Sequence, residues 1–142
     1  MAEALARRLA IRQHLPFEAA SAGVAARDDA PATAQAVAVG REAGLDLGPH
    51  RARLLTRPMV LEAALVLTME DAQRDFIRVL APEALDRVHV LRAYATRGTE
   101  HGAVADPIGG DLPRYRRALQ ELGRLVEQSL QRWVEDAESR RP

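Results

Sequence analysis

The chain has 142 residues and a formal net charge of zero, 20 basic side chains against 20 acidic ones, with a hydrophobic fraction of 47%. Every basic side chain is an arginine, and none of them builds a basic tail or a stripe beside aromatics, which argues against a nucleic-acid partner. Zero cysteine excludes disulfides, thiolate metal sites and a cysteine nucleophile from these residues.

This length suits one domain over 1–142, and the apolar fraction is enough for a core. No run is long and apolar enough to cross a membrane and no signal-peptide pattern is present, so a soluble cytoplasmic protein is the expectation. No metal and no cofactor is expected.

Met1 to about His14 reads as a helix, with Ala2, Leu5, Leu9 and Ile11 on the apolar side and Arg7, Arg8 and Arg12 facing water. It begins without a Ser, Thr, Asp or Asn cap, and its amino group lies at the positive end of the helix dipole. Phe17–Ala22 is a weak strand candidate closed by Gly23. Pro31-Ala32-Thr33 opens a second helix running to about Ala43, with Gly44 as its C-terminal stop. Gly48 to Arg53 is a basic loop. His50 within it has no partner at ligand spacing, and a structural role outweighs a metal or base role; Arg51 and Arg53 are either anion holders or solvated surface residues.

Thr56-Arg57-Pro58 predicts a cap and a short helical turn through Glu62. Ala64–Thr68 is the best buried strand, nearly continuous in apolar residues. Met69-Glu70-Asp71 leads into a helix through Phe76, Val79 and Leu80. Val88–Leu91 is a further short strand, and Ala93–Ala103 reads as an irregular connection. Leu112 to about Ala137 is the longest helix: Tyr115, Leu119, Leu122, Val126, Leu130 and Trp133 recur every three or four residues, while Asp136–Pro142 is a charged tail expected to fray.

Alternating helices and strands predict an α/β fold, a small three-layer parallel sheet with helices on both faces. Only three strands are visible, one of them feeble, where four helices normally cover at least one more. Sites in such folds lie beyond the C-terminal ends of the strands. The loop Val104–Asp111 stands out there. Pro107 fixes the backbone after Asp106, and Gly109-Gly110 permits a tight turn. Asp106 is suited to general acid chemistry, to metal ligation or simply to capping the next turn; Tyr115 either lines a pocket beside it or packs in the core.

Several stretches, in order, resemble the low-molecular-weight protein tyrosine phosphatases, which share their fold with thioredoxin-coupled arsenate reductases. The resemblance runs through Met1–Ala4, Ser21-Ala22-Gly23 with Pro31-Ala32-Thr33, Gly44–Leu47 with His50–Arg53 and Leu55-Thr56, Leu67–Glu70, and Asp106–Gly110. It implies that Asp106 is the general acid and base, with Pro107, Ile108 and Tyr115 lining the pocket. Ile108 departs from the Phe that bacterial members often carry. The substrate implied for the complete protein is a phosphotyrosine protein or an aryl phosphate.

In that family a first strand leads into a Cys-x5-Arg loop followed by Ser or Thr and Pro, and then the first helix. Here the chain begins just after that Pro position, so the nucleophile, the phosphate-clamping arginine and the central first strand are expected to lie ahead of Met1. A thiolate held by helix N-terminal amides and a cation does the nucleophilic work in this chemistry, and general acid-base assistance alone is worth only about 10²–10⁴-fold. Residues 1–142 by themselves are therefore expected to be inactive, and prone to self-association through unpaired strand edges. Two other readings stay open: a non-catalytic scaffold or binding protein that retains the fold, and an arsenate reductase-like protein, which the lack of further cysteines disfavours.

Overall fold

The computed structural model describes residues 1–142 and places the alternating elements close to their expected bounds. In chain order they are α1 (Ala2–Arg12), α2 (Ala34–Glu42), α3 (Arg57–Glu62), β1 (Val66–Thr68), α4 (Asp71–Leu80), β2 (Val88–Val90), α5 (Leu91–Ala95) and α6 (Leu112–Ser139). A 3-10 turn, Pro82–Arg87, separates α4 from β2. The sheet consists of β1 and β2, parallel, with Val66 opposite Val88 and Thr68 opposite Val90.

Local chemistry accounts for several boundaries. Thr33 caps α2 by accepting a hydrogen bond from the Ala36 amide at 3.2 Å. Gly44 takes φ +75 just past the end of that helix, a conformation in which a Cβ would be strained. Pro58 lies in the first turn of α3, where its missing N–H removes no helical bond.

The large core gathers along α6. Tyr115, Leu119, Leu122, Leu125, Val126 and Leu130 are buried with Leu5 of α1, Val39 of α2, Leu91 and Ala95 of α5, and Leu45, Leu47 and Val104 from loops. A smaller cluster, Val60, Ile77, Ala81, Ala84 and Val88, fixes α3 and α4 to β2. Between them the two strands differ. Val88 and Val90 of β2 are buried, whereas Val66 and Leu67 of β1 remain half-buried.

Three expectations need correction. Phe17–Ala22 is not a strand. The chain forms a parallel bridge only at Gly23, whose amide donates to the Arg53 carbonyl at 3.0 Å and whose carbonyl accepts from the Leu55 amide at 2.9 Å. The preceding carbonyls of Ala19 and Ser21 accept instead from the Nε–H groups of Arg7 (3.1 Å) and Arg53 (3.0 Å), so side-chain donors occupy positions that a neighbouring strand would fill. Phe17 packs edge to face on Trp133 of α6, with ring centroids 6.0 Å apart. The connection after β2 is not wholly irregular, since Leu91–Ala95 forms the short α5. The tail is helical further than expected: α6 runs to Ser139.

Leu125 is fully buried in the centre of α6. Its replacement by Ala should lower unfolding free energy by about 2–5 kcal/mol, through lost transfer energy and the cavity left behind. Urea unfolding followed by circular dichroism measures this.

Candidate functional site

The Asp106 loop hangs between the end of β1 and the start of α6. Its first anchor is the Val104 amide, which donates to the carbonyl of Met69, the residue directly after β1, at 2.9 Å. Arg92 of α5 supplies a second. Its Nη2 donates to the Ala103 carbonyl at 3.2 Å, and the same guanidinium pairs with Glu121 of α6 and with Glu100. Glu100 also meets Arg124 of α6 at 3.1 Å. The hydrogen bond from Arg124, ahead of its charge and the contribution of Arg92, holds the Glu100 carboxyl below the usual range.

Within the loop, Asp106 is exposed. Its Oδ1 accepts from the Ile108 amide at 3.0 Å, forming an Asx turn that orients the carboxylate and leaves its second oxygen free. The Gly110 amide donates to the Pro107 carbonyl at 2.8 Å, closing a turn in which Gly109 has φ +78. A Cβ on Gly110 would approach the Pro107 carbonyl oxygen to 2.8 Å and Arg114 Cδ to 2.5 Å, so this position has no room for a side chain. Asp111, not Asp106, caps α6 by accepting from the Arg114 amide at 3.0 Å. The two acids of the loop thus have separate tasks. One closes the helix; the other is presented to solvent.

The residues expected to line the pocket fall in different environments. Pro107 is half-buried beside Asp106, and Ile108 is 66% exposed. Tyr115 is 3% exposed and belongs to the main core, where its hydroxyl oxygen accepts from the Thr33 hydroxyl at 3.1 Å. It joins the cap of α2 to the first turns of α6, below the loop. His50 stands 4.0 Å from Glu3, which also binds Arg7 and Ser21. Arg51 donates to the carbonyls of Gly48 and His50, and Arg53 to that of Ser21, so backbone oxygens occupy both.

Sequence reasoning missed the Arg92–Glu100–Glu121–Arg124 network and a second cluster around His89. In that cluster the His89 ring lies 4.8 Å from the Tyr94 ring, and the Arg132 guanidinium lies 4.3 Å from the Tyr94 centroid on α5. The imidazole pKa is pushed down, chiefly by burial and then by the charges of Arg132 and Arg74. These partners come from distant parts of the chain. No local spacing announces them.

The Asp106 loop thus stands beside the C-terminal end of β1, tied there by the Val104–Met69 bond. Residues 1–139 match the family described as low molecular weight phosphotyrosine protein phosphatase. The chain is 35% identical to the protein-arginine-phosphatase of Geobacillus stearothermophilus, over 87% of this chain and 82% of that protein. It is 33% identical to the probable low molecular weight protein-tyrosine-phosphatase EpsP of Ralstonia nicotianae, over 94% of this chain and 83% of the relative. The solution structure of a low molecular weight protein tyrosine phosphatase from Bacillus subtilis superposes with a TM-score of 0.86 at 33% identity, covering 96% of this chain and 89% of the other. The chain therefore belongs to the low molecular weight phosphotyrosine protein phosphatase family.

Two measurements test the division of labour in this region. Asp111→Ala should cost about 1 kcal/mol of stability by removing the cap, whereas Asp106→Asn keeps an acceptor oxygen for the Asx turn and should change stability by less than about 0.5 kcal/mol; thermal melts of both variants decide. For His89, the unfolded imidazole takes up its proton near the ordinary pKa and the folded one only at lower pH. The unfolded state therefore binds more protons in between, so this contribution is complete above the unfolded pKa and is lost as pH falls. Urea midpoints compared between about pH 7.5 and about pH 5 should fall less for His89→Gln than for the parent chain.

Proposed function

We propose that residues 1–142 are the acid-bearing part of a phosphatase that removes phosphoryl groups from protein side chains, with Asp106 as the proton-transfer group. The observation that carries this reading is the exposed Asp106 carboxylate, oriented by its bond to the Ile108 amide in a chain matched to the family over residues 1–139. In the forward step Asp106, protonated, gives its proton to the leaving atom of the substrate side chain. As the carboxylate it then accepts a proton from the water that releases phosphate. Pro107 and the exposed Ile108 form the rim against which the leaving group rests, with Tyr115 supporting the rim from beneath.

The related proteins include both arginine and tyrosine phosphatases by name. A phenolate and a guanidine each leave more readily with a proton on the bridging atom, so one acid at this position serves either substrate. A phosphotyrosine protein or aryl phosphate remains our first assignment. The chemistry also needs a thiolate nucleophile and a nest of phosphate-binding donors. With no cysteine among these residues, we infer that these parts must be supplied from outside 1–142, and that this polypeptide alone does not turn over phosphomonoesters.

The test has two arms. Residues 1–142 incubated with a phosphotyrosine peptide, a phosphoarginine peptide or an aryl phosphate should release no phosphate above blank; measurable release overturns the inference about the nucleophile. The second arm uses a protein in which an apolar strand and a Cys-x5-Arg loop have been joined to these residues. In a protein carrying that loop, Asp106→Asn should lower kcat by about 10²–10⁴-fold.

A further inference from the structure

A cleft of about 470 Å³, lined by no residue of the Val104–Asp111 loop, opens between the first turns of α4, the middle of β2, the end of α5 and the C-terminal half of α6. Its charged lining is Asp71, Arg74, His89, Arg97, His101 and Arg132. Not all of that positive charge is free. Arg97 is paired with Glu135 at 2.5 Å and lies 3.9 Å from Asp136.

Arg74 differs, and Arg132 is paired only through its Nε, with Asp136. Arg74 spends its Nε–H on the Val88 carbonyl at 2.9 Å, and its terminal nitrogens pair with no carboxylate. Arg132 donates Nη1–H to the Tyr94 carbonyl at 2.8 Å, while its buried Nε–H has no hydrogen-bond acceptor; the nearest carboxylate oxygen, on Asp136, stands 3.5 Å away. Against the Tyr94 ring sits His89, whose protonation is opposed by burial and by the charges of Arg132 and Arg74 and favoured by that of Asp86. Arg74 thus brings to the cleft a guanidinium whose terminal nitrogens meet no carboxylate, beside the half-buried His89.

We propose that this cleft is a binding site for a small phosphate-type oxyanion, held by the guanidinium groups of Arg74 and Arg132 with the His89 imidazole as a third donor. A guanidinium offers donors in a planar fork that matches a phosphate edge, and charge-assisted bonds of this kind are about twice as strong as neutral ones. A bound anion would meet the terminal nitrogens of Arg74 and Arg132 and offset the charge with which both oppose the His89 imidazolium. Asp71, in the lining, and Asp136, paired with Arg97 and Arg132, set the competition. The ligand is either free phosphate or the phosphate group of a small phosphomonoester; the cleft volume accommodates both.

The experiment follows the four histidines of the 142-residue chain by NMR across pH, with inorganic phosphate or with chloride at matched ionic strength. Phosphate should raise the His89 midpoint by about one pH unit, since a nearby negative charge favours the imidazolium, and the response should saturate. His14, exposed and outside the cleft, should not follow. Arg74→Gln should weaken the response at least tenfold, and Arg41→Gln, on the exposed side of α2, should leave it intact. Arg132→Gln should also weaken it; if loss of the Tyr94 stacking unfolds that variant, Arg74→Gln decides. Methyl phosphate in place of phosphate separates the sources: tighter binding assigns a phosphomonoester, weaker binding the free ion. An unchanged His89 midpoint, an equal shift at His14, or an Arg74→Gln variant that responds like the parent overturns the proposal.

Discussion

The burial of one face of α6 is the interaction on which the remainder of the molecule depends. This helix spans 28 residues, and its apolar stripe meets α1, α2 and α5. An isolated helix of this composition gains little from propensity; its stability comes from tertiary packing. Fully buried Leu125 lies at the centre of that contact. The same helix fixes the Asp106 loop at its N-terminus through the Asp111 cap and the buried Tyr115. Core packing and presentation of Asp106 are thus two consequences of one helix.

The loop is held at both ends but left open in the middle. Its root, Val104, is buried and bonded to the residue after β1, and its far end is the capped first turn of α6. Between them the Asx turn of Asp106 and the Pro107–Gly110 bond restrict the backbone without burying the carboxylate. This combination suits proton transfer. A carboxylate that is oriented yet hydrated keeps access to a substrate, whereas one used as a helix cap has already committed an oxygen to the backbone.

Much of this was legible in the sequence, for local reasons. The α6 stripe follows the helical period, Thr56-Arg57-Pro58 starts α3 where expected, and the apolar runs before Thr68 and around Val90 contain both strands. The failures are equally physical. Phe17–Ala22 carries only a weak strand pattern, and a strand also requires a neighbour, which no single segment specifies. The short α5 carries no side-chain cap and ends within five residues, too few to display a period. In the candidate loop, the Asp106 turn was visible because Pro and Gly mark it. Arg92, Glu121 and Arg124 were not, because a loop and two helices must assemble before they meet.

Arginine supplies the link between these local and nonlocal features. Guanidinium groups donate to backbone carbonyls at Ala19, Ala43, Ser21, Leu80, Val88, Ala63, Ala103 and Tyr94, mostly at the ends of elements or in irregular segments. Such carbonyls lack partners in a regular ladder, and a planar group with five N–H donors can serve a carbonyl with one edge while keeping another available. An ammonium has fewer donors and no fixed fork, so it would make these joints less specific. The absence of lysine therefore fits the structure's reliance on side-chain donors where helices and strands stop. It also sets where charge sits in a neutral chain: Arg74 and Arg132 are placed by the carbonyls they bind, and both line the cleft beside His89.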